Sequence, residues 1–175
     1  EVPGMRVAMS GELQWVGSRP IVPLLRYRAV SHVNFRHGPA QRARLLPAYT
    51  QLPPGFNPRT IELAGQLMRA NPAGDPLSLM QAALRQLRTG GYTYTLEPGA
   101  YGQHTADEFW FDRKQGFCEH ISSAFVVLMR AMNIPARVVT GYQGGSANPV
   151  DGYWVVRQSD AHACAEVWLE RRGWV

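Results

Sequence analysis

Between Cys118 and Met132 the chain carries Ile121, Ala124, Phe125, Val126, Val127, Leu128, Met129 and Met132. At 3.6 residues per turn these side chains cover most of a helix's circumference. A helix that is apolar nearly all round leaves no face for water and has to be wrapped by other elements. Its longest unbroken apolar run, Ala124 to Met129, is six residues. A membrane span needs about 20, so the segment reads as a buried central helix. The chain has the material to wrap it: 175 residues, 45% hydrophobic, 10% aromatic and 18% charged. That composition excludes wholesale disorder, collagen and coiled coil. At roughly 150 residues per domain the length suits one domain, or one plus an appendage.

The flanks supply the wrapping. Asn133-Ile134-Pro135 stops the helix. Strand-like segments follow at Ala136 to Tyr142, Tyr153 to Gln158 and His162 to Glu170, and Arg171-Arg172-Gly173 turns into a fourth at Trp174. Gln143 to Gly152 is a glycine-rich connection. Short connections favour antiparallel neighbours, and one buried helix on such a sheet is an α+β core. Upstream, Asn57-Pro58 and Asp75-Pro76 each pair a good N-cap with proline at the first helical position. Ile61 to Met68 and Leu77 to Leu87 keep helical spacing, and Gly90-Gly91 closes the second helix. Tyr92 to Leu96 is a strand candidate. Thr105 with Glu108 forms a capping-box pattern opening a short helix through Trp110 and Phe111. Residues 1–55 read as extended at Met5 to Ser10, Glu12 to Val16 and Leu24 to Phe35, punctuated by Pro20, Pro23, Pro39 and Pro47. The expected division is therefore a β-rich region over 1–55 and a core over 56–175.

The net charge is +5, and all but Lys114 of the 18 basic residues are Arg. They are scattered rather than gathered on a stripe with stacking aromatics, so nucleic acid is not expected as a partner. Glu1-Val2-Pro3-Gly4 has neither the basic start nor the apolar stretch of a signal peptide. The chain lacks an initiator Met and reaches Trp174-Val175 within an apolar pattern, so it is expected to be a piece of a longer protein.

Two cysteines, Cys118 and Cys164, are too few for a disulfide framework. Cys118 opens the buried helix, where unpaired N–H groups carry partial positive charge and stabilise a thiolate, the nucleophilic form. A small buried hydrophobe would occupy the same place. His162 lies on a strand whose alternation puts it on one face with Cys164, Glu166 and Trp168, while Ala163, Ala165, Val167 and Leu169 take the other. A histidine packed near a helix that opens with cysteine can take the thiol proton. Cys118, His120, His162 and Cys164 also offer a Cys2His2 set for zinc. Two residues apart on a helix, however, Cys118 and His120 point about 200° apart. Glu119 reads as a helix-start charge and Glu166 as an arginine partner, with Trp110 and Trp154 as core or cleft-wall aromatics. His32, His37 and His104 receive no role.

Gly116-Phe117-Cys118-Glu119-His120, Ile134-Pro135-Ala136-Arg137-Val138-Val139-Thr140-Gly141-Tyr142, Ser159-Asp160-Ala161-His162-Ala163, Glu166-Val167-Trp168-Leu169 and Gly173-Trp174-Val175 occur in this order. Together they resemble the transglutaminase-like domains of the papain-like superfamily, those of membrane-anchored bacterial proteins with a periplasmic domain in particular. The specific motifs span residues 107–175. The resemblance implies a papain-like fold and a Cys-His-Asp triad, with Cys118 as nucleophile and His162 as base. It implies acyl transfer from the carboxamide of a protein or peptide glutamine to an amine through a thioester. Cysteine peptidase or amidase action, or a non-catalytic binding module, are the alternatives. No cofactor or metal is implied. A periplasmic location and a membrane anchor outside this chain are. The family's acid lies on the next strand, past Val175, so this chain is expected to be weakly active or inactive. Cys164 stands where the family usually has Trp, which opens the hypothesis of a Cys118–Cys164 disulfide.

Overall fold

The structure is a computed structural model that describes residues 4–10, 14–22, 27–28, 30, 32, 34, 46–72 and 74–175. The chain divides into two compact units, Glu1–Arg36 and His37–Val175. In the first, β1 (Val7–Met9) pairs antiparallel with β2 (Trp15–Gly17). The expected extended segment from Leu24 to Phe35 lies largely outside the described residues, as do Pro23, His37 and Pro39.

The second unit takes in a short 3-10 turn, Leu46–Thr50, before the helices. Leu46 is buried, and Tyr49 meets Trp174 edge to face at 5.0 Å between ring centroids. This unit therefore starts upstream of the 55/56 division drawn from the sequence. Helices α1 (Pro58–Ala70) and α2 (Pro76–Thr89) follow, then β3 (Thr93–Tyr94) and a short α3 (Thr105–Asp107) that continues as a π-helical turn over Glu108–Arg113. Next come β4 (Gln115–Gly116), parallel to β3, and α4 (Cys118–Ala131). The sheet is β5 (Ala136–Tyr142), β8 (Ala161–Leu169) and β9 (Gly173–Trp174) in the order β5-β8-β9, antiparallel throughout. Between β5 and β8 lie β6 (Ser146–Ala147) and β7 (Trp154–Val155), which pair only with each other. The strand expected over Tyr153 to Gln158 is thus a two-residue arm of a separate hairpin. Trp154 is 71% exposed, neither core nor cleft wall.

The all-apolar segment is buried as its pattern demands. Ala124, Phe125, Val126, Leu128 and Met129 of α4 are each at most 6% exposed. Ala163, Val167 and Leu169 of β8 are also buried, with Ala165 packed on the same core. The alternation of β8 therefore holds, except that Trp168 is buried as well, although it belongs to the other face. Phe109 and Trp110 come in from the π-helical turn, each 1% exposed. The Trp110 indole N–H donates to the Ala124 carbonyl at 3.2 Å, and the Tyr92 hydroxyl donates to the Trp110 carbonyl at 3.0 Å. Trp110 thereby meets the polar requirement of a buried indole while filling space beside α4.

Helix starts differ from the sequence reading in one instructive place. Asp75 caps α2 as expected, accepting from the Leu77 and Ser78 N–H groups. Asn57 does not cap α1. Its backbone is left-handed, with φ 51°, a region asparagine tolerates. Its side-chain oxygen accepts instead from the N–H groups of Ala106 (3.0 Å) and Asp107 (3.4 Å) at the start of α3. Asp107 returns the exchange: its carboxylate accepts from the Arg59 and Thr60 N–H groups and the Thr60 hydroxyl, at 3.1, 2.7 and 2.7 Å. The two helices cap each other. Nor does Thr105 act with Glu108 as a capping box: α3 starts without a side-chain cap from His104, and Glu108 binds the Gly102 N–H and Arg113. A buried donor stripped of its partner costs about 1–3 kcal/mol. Asp107→Ala, which strips three, is expected to lower the denaturant midpoint by more than Asp75→Ala does at its exposed cap.

Candidate active site

Cys118 is the first residue of α4, after an extended Phe117 (φ −111°, ψ −172°) that supplies no side-chain cap. Intrahelical bonding begins with the Ile121 N–H donating to the Phe117 carbonyl at 3.1 Å. The N–H groups of Cys118, Glu119 and His120 therefore lie in the unpaired first turn, whose partial positive charge favours an anion. The approach to Cys118 is held from behind. Thr93 and Thr95 donate to the carbonyls of Lys114 and Gly116 at 2.8 and 2.9 Å, joining β3 to β4. The Tyr101 hydroxyl donates to the Gln115 carbonyl. Burial raises the Tyr101 phenol's pKa, with Arg113 opposing and Glu108 assisting, which keeps it a donor.

His162 is the second residue of β8, opposite Gly141 of β5. Because Gly141 has no side chain, the imidazole has no neighbour across the strand. Cys118 and His162 line one open cleft of about 340 Å³, walled by Leu84 and Leu87 of α2 and by Phe125 of α4. Two residues separated in sequence by α4 and by β5 to β7 are thus brought to one apolar-walled space. Among the described residues no group hydrogen-bonds the His162 imidazole.

The remaining candidates sort clearly. Glu166 is held by Arg137 at 2.7 Å, the arginine pairing its sequence suggested. Glu119 is exposed at the helix start. Among the described residues no three His, Cys, Asp or Glu side chains are grouped to hold a metal ion, so the Cys2His2 set does not assemble. Cys164 lines the same cleft as Cys118; both are free thiols, the first exposed and the second half-buried. Two further histidines bear on the site region. His104, given no role from the sequence, accepts the Asn57 N–H at 3.1 Å. His120, a member of the zinc-like set, packs instead against Phe117 and Tyr101 on the approach to Cys118.

Thiol titration of the folded chain is expected to find two accessible cysteines. After mild oxidation, two cysteines that still alkylate freely would rule out a Cys118–Cys164 bridge, which requires Cα atoms about 4.4–6.8 Å apart. A linked peptide pair would establish it.

Comparison with known proteins follows the same residues. The model of the transglutaminase-like superfamily matches residues 65–175. A Pseudomonas aeruginosa protein named protein-glutamine gamma-glutamyltransferase is 44% identical over 125 residues, covering 71% of this chain and 18% of that protein. The Bacillus subtilis protein YebA is 32% identical over 134 residues, covering 73% of this chain and 18% of its own length. This chain therefore spans under a fifth of either relative. The crystal structure of the periplasmic domain of TgpA from Pseudomonas aeruginosa superposes with a TM-score of 0.72 at 40% identity, over 78% of this chain and 47% of that one. A candidate cysteine protease from Cytophaga hutchinsonii shares the fold, with a TM-score of 0.53 at 20% identity over 77% of this chain and 41% of the other. The motifs, the mixed helix-and-sheet core and these matches agree: the chain belongs to the transglutaminase-like superfamily.

Proposed function

We propose that this chain carries the Cys–His pair of a cysteine-dependent acyl transfer on glutamine carboxamides. The observation that carries the reading is the placement of Cys118, at the start of α4, and His162, on β8, around one cleft. In this mechanism the His162 imidazole takes the Cys118 thiol proton. The thiolate attacks the carboxamide carbon of a protein or peptide glutamine, and the first-turn N–H of Cys118 donates to the oxyanion. Collapse expels ammonia, protonated by His162, and leaves a thioester. An amine then takes the acyl group and frees the thiol; water in its place gives deamidation. The apolar walls from α2 and α4 keep competing water low around the thioester. The P. aeruginosa relative's name supports the substrate class, and the structural neighbour, the periplasmic domain of TgpA, supports a periplasmic location; a membrane anchor elsewhere in the parent protein belongs to the same proposal and rests on the resemblance of the motifs. No helix among the described residues is long and apolar enough to cross a membrane.

The triad's acid fits the same scheme. Val167 and Val175 exchange both backbone hydrogen bonds, at 2.8 and 2.9 Å. In a longer chain, a strand continuing from Val175 in this register would run along β8 toward Cys164 and His162. An acid there would orient the imidazole, which has no such partner among the described residues. Amine incorporation into a glutamine peptide should therefore rise when the chain is extended by one strand of its parent. Equal rates with and without the extension would count against that acid.

A peptidase or amidase would use the same two residues, so the assay measures labelled-amine incorporation beside peptide-bond hydrolysis. Transfer exceeding hydrolysis is expected. In the chain extended by one strand, Cys118→Ala should remove turnover by about 10,000-fold or more, and His162→Ala should follow it. Ligand binding that survives Cys118→Ala, with no Cys118-dependent turnover in the parent chain, would instead mark a binding module.

A further inference from the structure

The His120 ring is packed on three sides by the segment that presents Cys118. Its centroid lies 4.5 Å from that of Phe117, edge to face, and 4.6 Å from that of Tyr101. Gly116 sits so close that a Cβ there would approach the His120 Cβ to 2.7 Å. Tyr101 in turn holds the Gln115 carbonyl through its hydroxyl and carries the Arg113 guanidinium over its ring at 4.8 Å. Gln115, Gly116 and Phe117, the three residues leading into Cys118, are thus each fixed by Tyr101 or His120. Among the described residues the His120 Nδ1 is buried without a hydrogen-bond partner, an arrangement that costs stability. Residues two apart on a helix point about 200° apart, so His120 faces away from the Cys118 cleft. It lines a separate space of about 110 Å³ with Tyr101, Thr105 and Ser123.

We infer that His120, packed between Tyr101 and Phe117, is a positioning residue that sets the Cys118 thiol and its first-turn N–H through ring packing. The inference rests on the acyl-transfer reading for its kinetic consequence, though not for its geometry. Displacing a reacting group by about 1 Å can cost about 100-fold in rate, and the ring stack is the contact that prevents such a shift at the start of α4.

The test compares His120→Ala, His120→Phe and Tyr101→Ala in the full chain. Three readouts are used: kcat and KM for amine incorporation, thermal stability, and the iodoacetamide alkylation rate of Cys118, followed on the tryptic peptide Gln115–Arg130, which does not contain Cys164. His120→Ala and Tyr101→Ala are each expected to lower kcat by about 10–100-fold with KM within about twofold, and to change the Cys118 alkylation rate. His120→Phe, which restores a ring, is expected to return both rates to within about threefold of the parent. A His120→Phe variant as impaired as His120→Ala would overturn the inference by giving the nitrogen a chemical role. So would a His120→Ala variant that melts lower yet keeps the parent's kcat and alkylation rate. If the chain extended by one strand of its parent shows no amine incorporation, the alkylation rates still decide the positioning claim, while the acyl-transfer reading fails on its own.

Discussion

The burial of α4 is the constraint on which the rest of this fold depends. Its apolar residues leave no face for solvent, so each neighbour exists to cover part of it: β8 on one side, α1 and α3 on another, and the Trp110 turn against Ala124. A buried helix cannot shift without disturbing close-packed neighbours on every side. This rigidity is what makes its first residue useful. Cys118 stands at the one end of a fixed element where unpaired N–H groups face a cleft.

Rigidity at the helix start also comes from how the preceding chain is anchored. α1 and α3 cap each other through Asn57 and Asp107, which fixes the element leading to Trp110 and β4. β3 pairs with β4 just before Cys118, and the Tyr101–His120–Phe117 stack clamps the same stretch. These contacts use polar and aromatic groups at short range, where geometry is directional, whereas the body of α4 is held by apolar packing, which is not. The result is a Cys118 position defined more tightly than hydrophobic burial alone would give.

β8 serves two ends with one alternation. Ala163, Ala165, Val167 and Leu169 turn to the core, while His162, Cys164 and Glu166 turn away from it. Arg137 engages Glu166, so the one acidic group on that face is already taken. His162 is left facing the cleft with a glycine as its cross-strand neighbour. Cys164 beside it puts a second thiol on the same cleft.

The sequence alone carried the periodic part of the structure. The buried helix, its stop at Asn133-Ile134-Pro135, the boundaries of β5 and β8 and the α2 cap follow from apolar spacing and local turn chemistry, which act between residues near in sequence. The positions of Cys118 at a helix start and His162 on a strand follow from the same local patterns, while their pairing as nucleophile and base rests on the family resemblance and is proposed. Only the tertiary structure decided what depends on meetings between distant segments. It exchanged the caps between Asn57 and Asp107, took Trp154 and Val155 out of the sheet into a hairpin, exposed Trp154, kept His120 off the cleft that Cys118, His162 and Cys164 line, and packed its ring between Tyr101 and Phe117. A side chain's local pattern states what it can bond. Which partner it finds is settled when the packing around α4 brings those segments together.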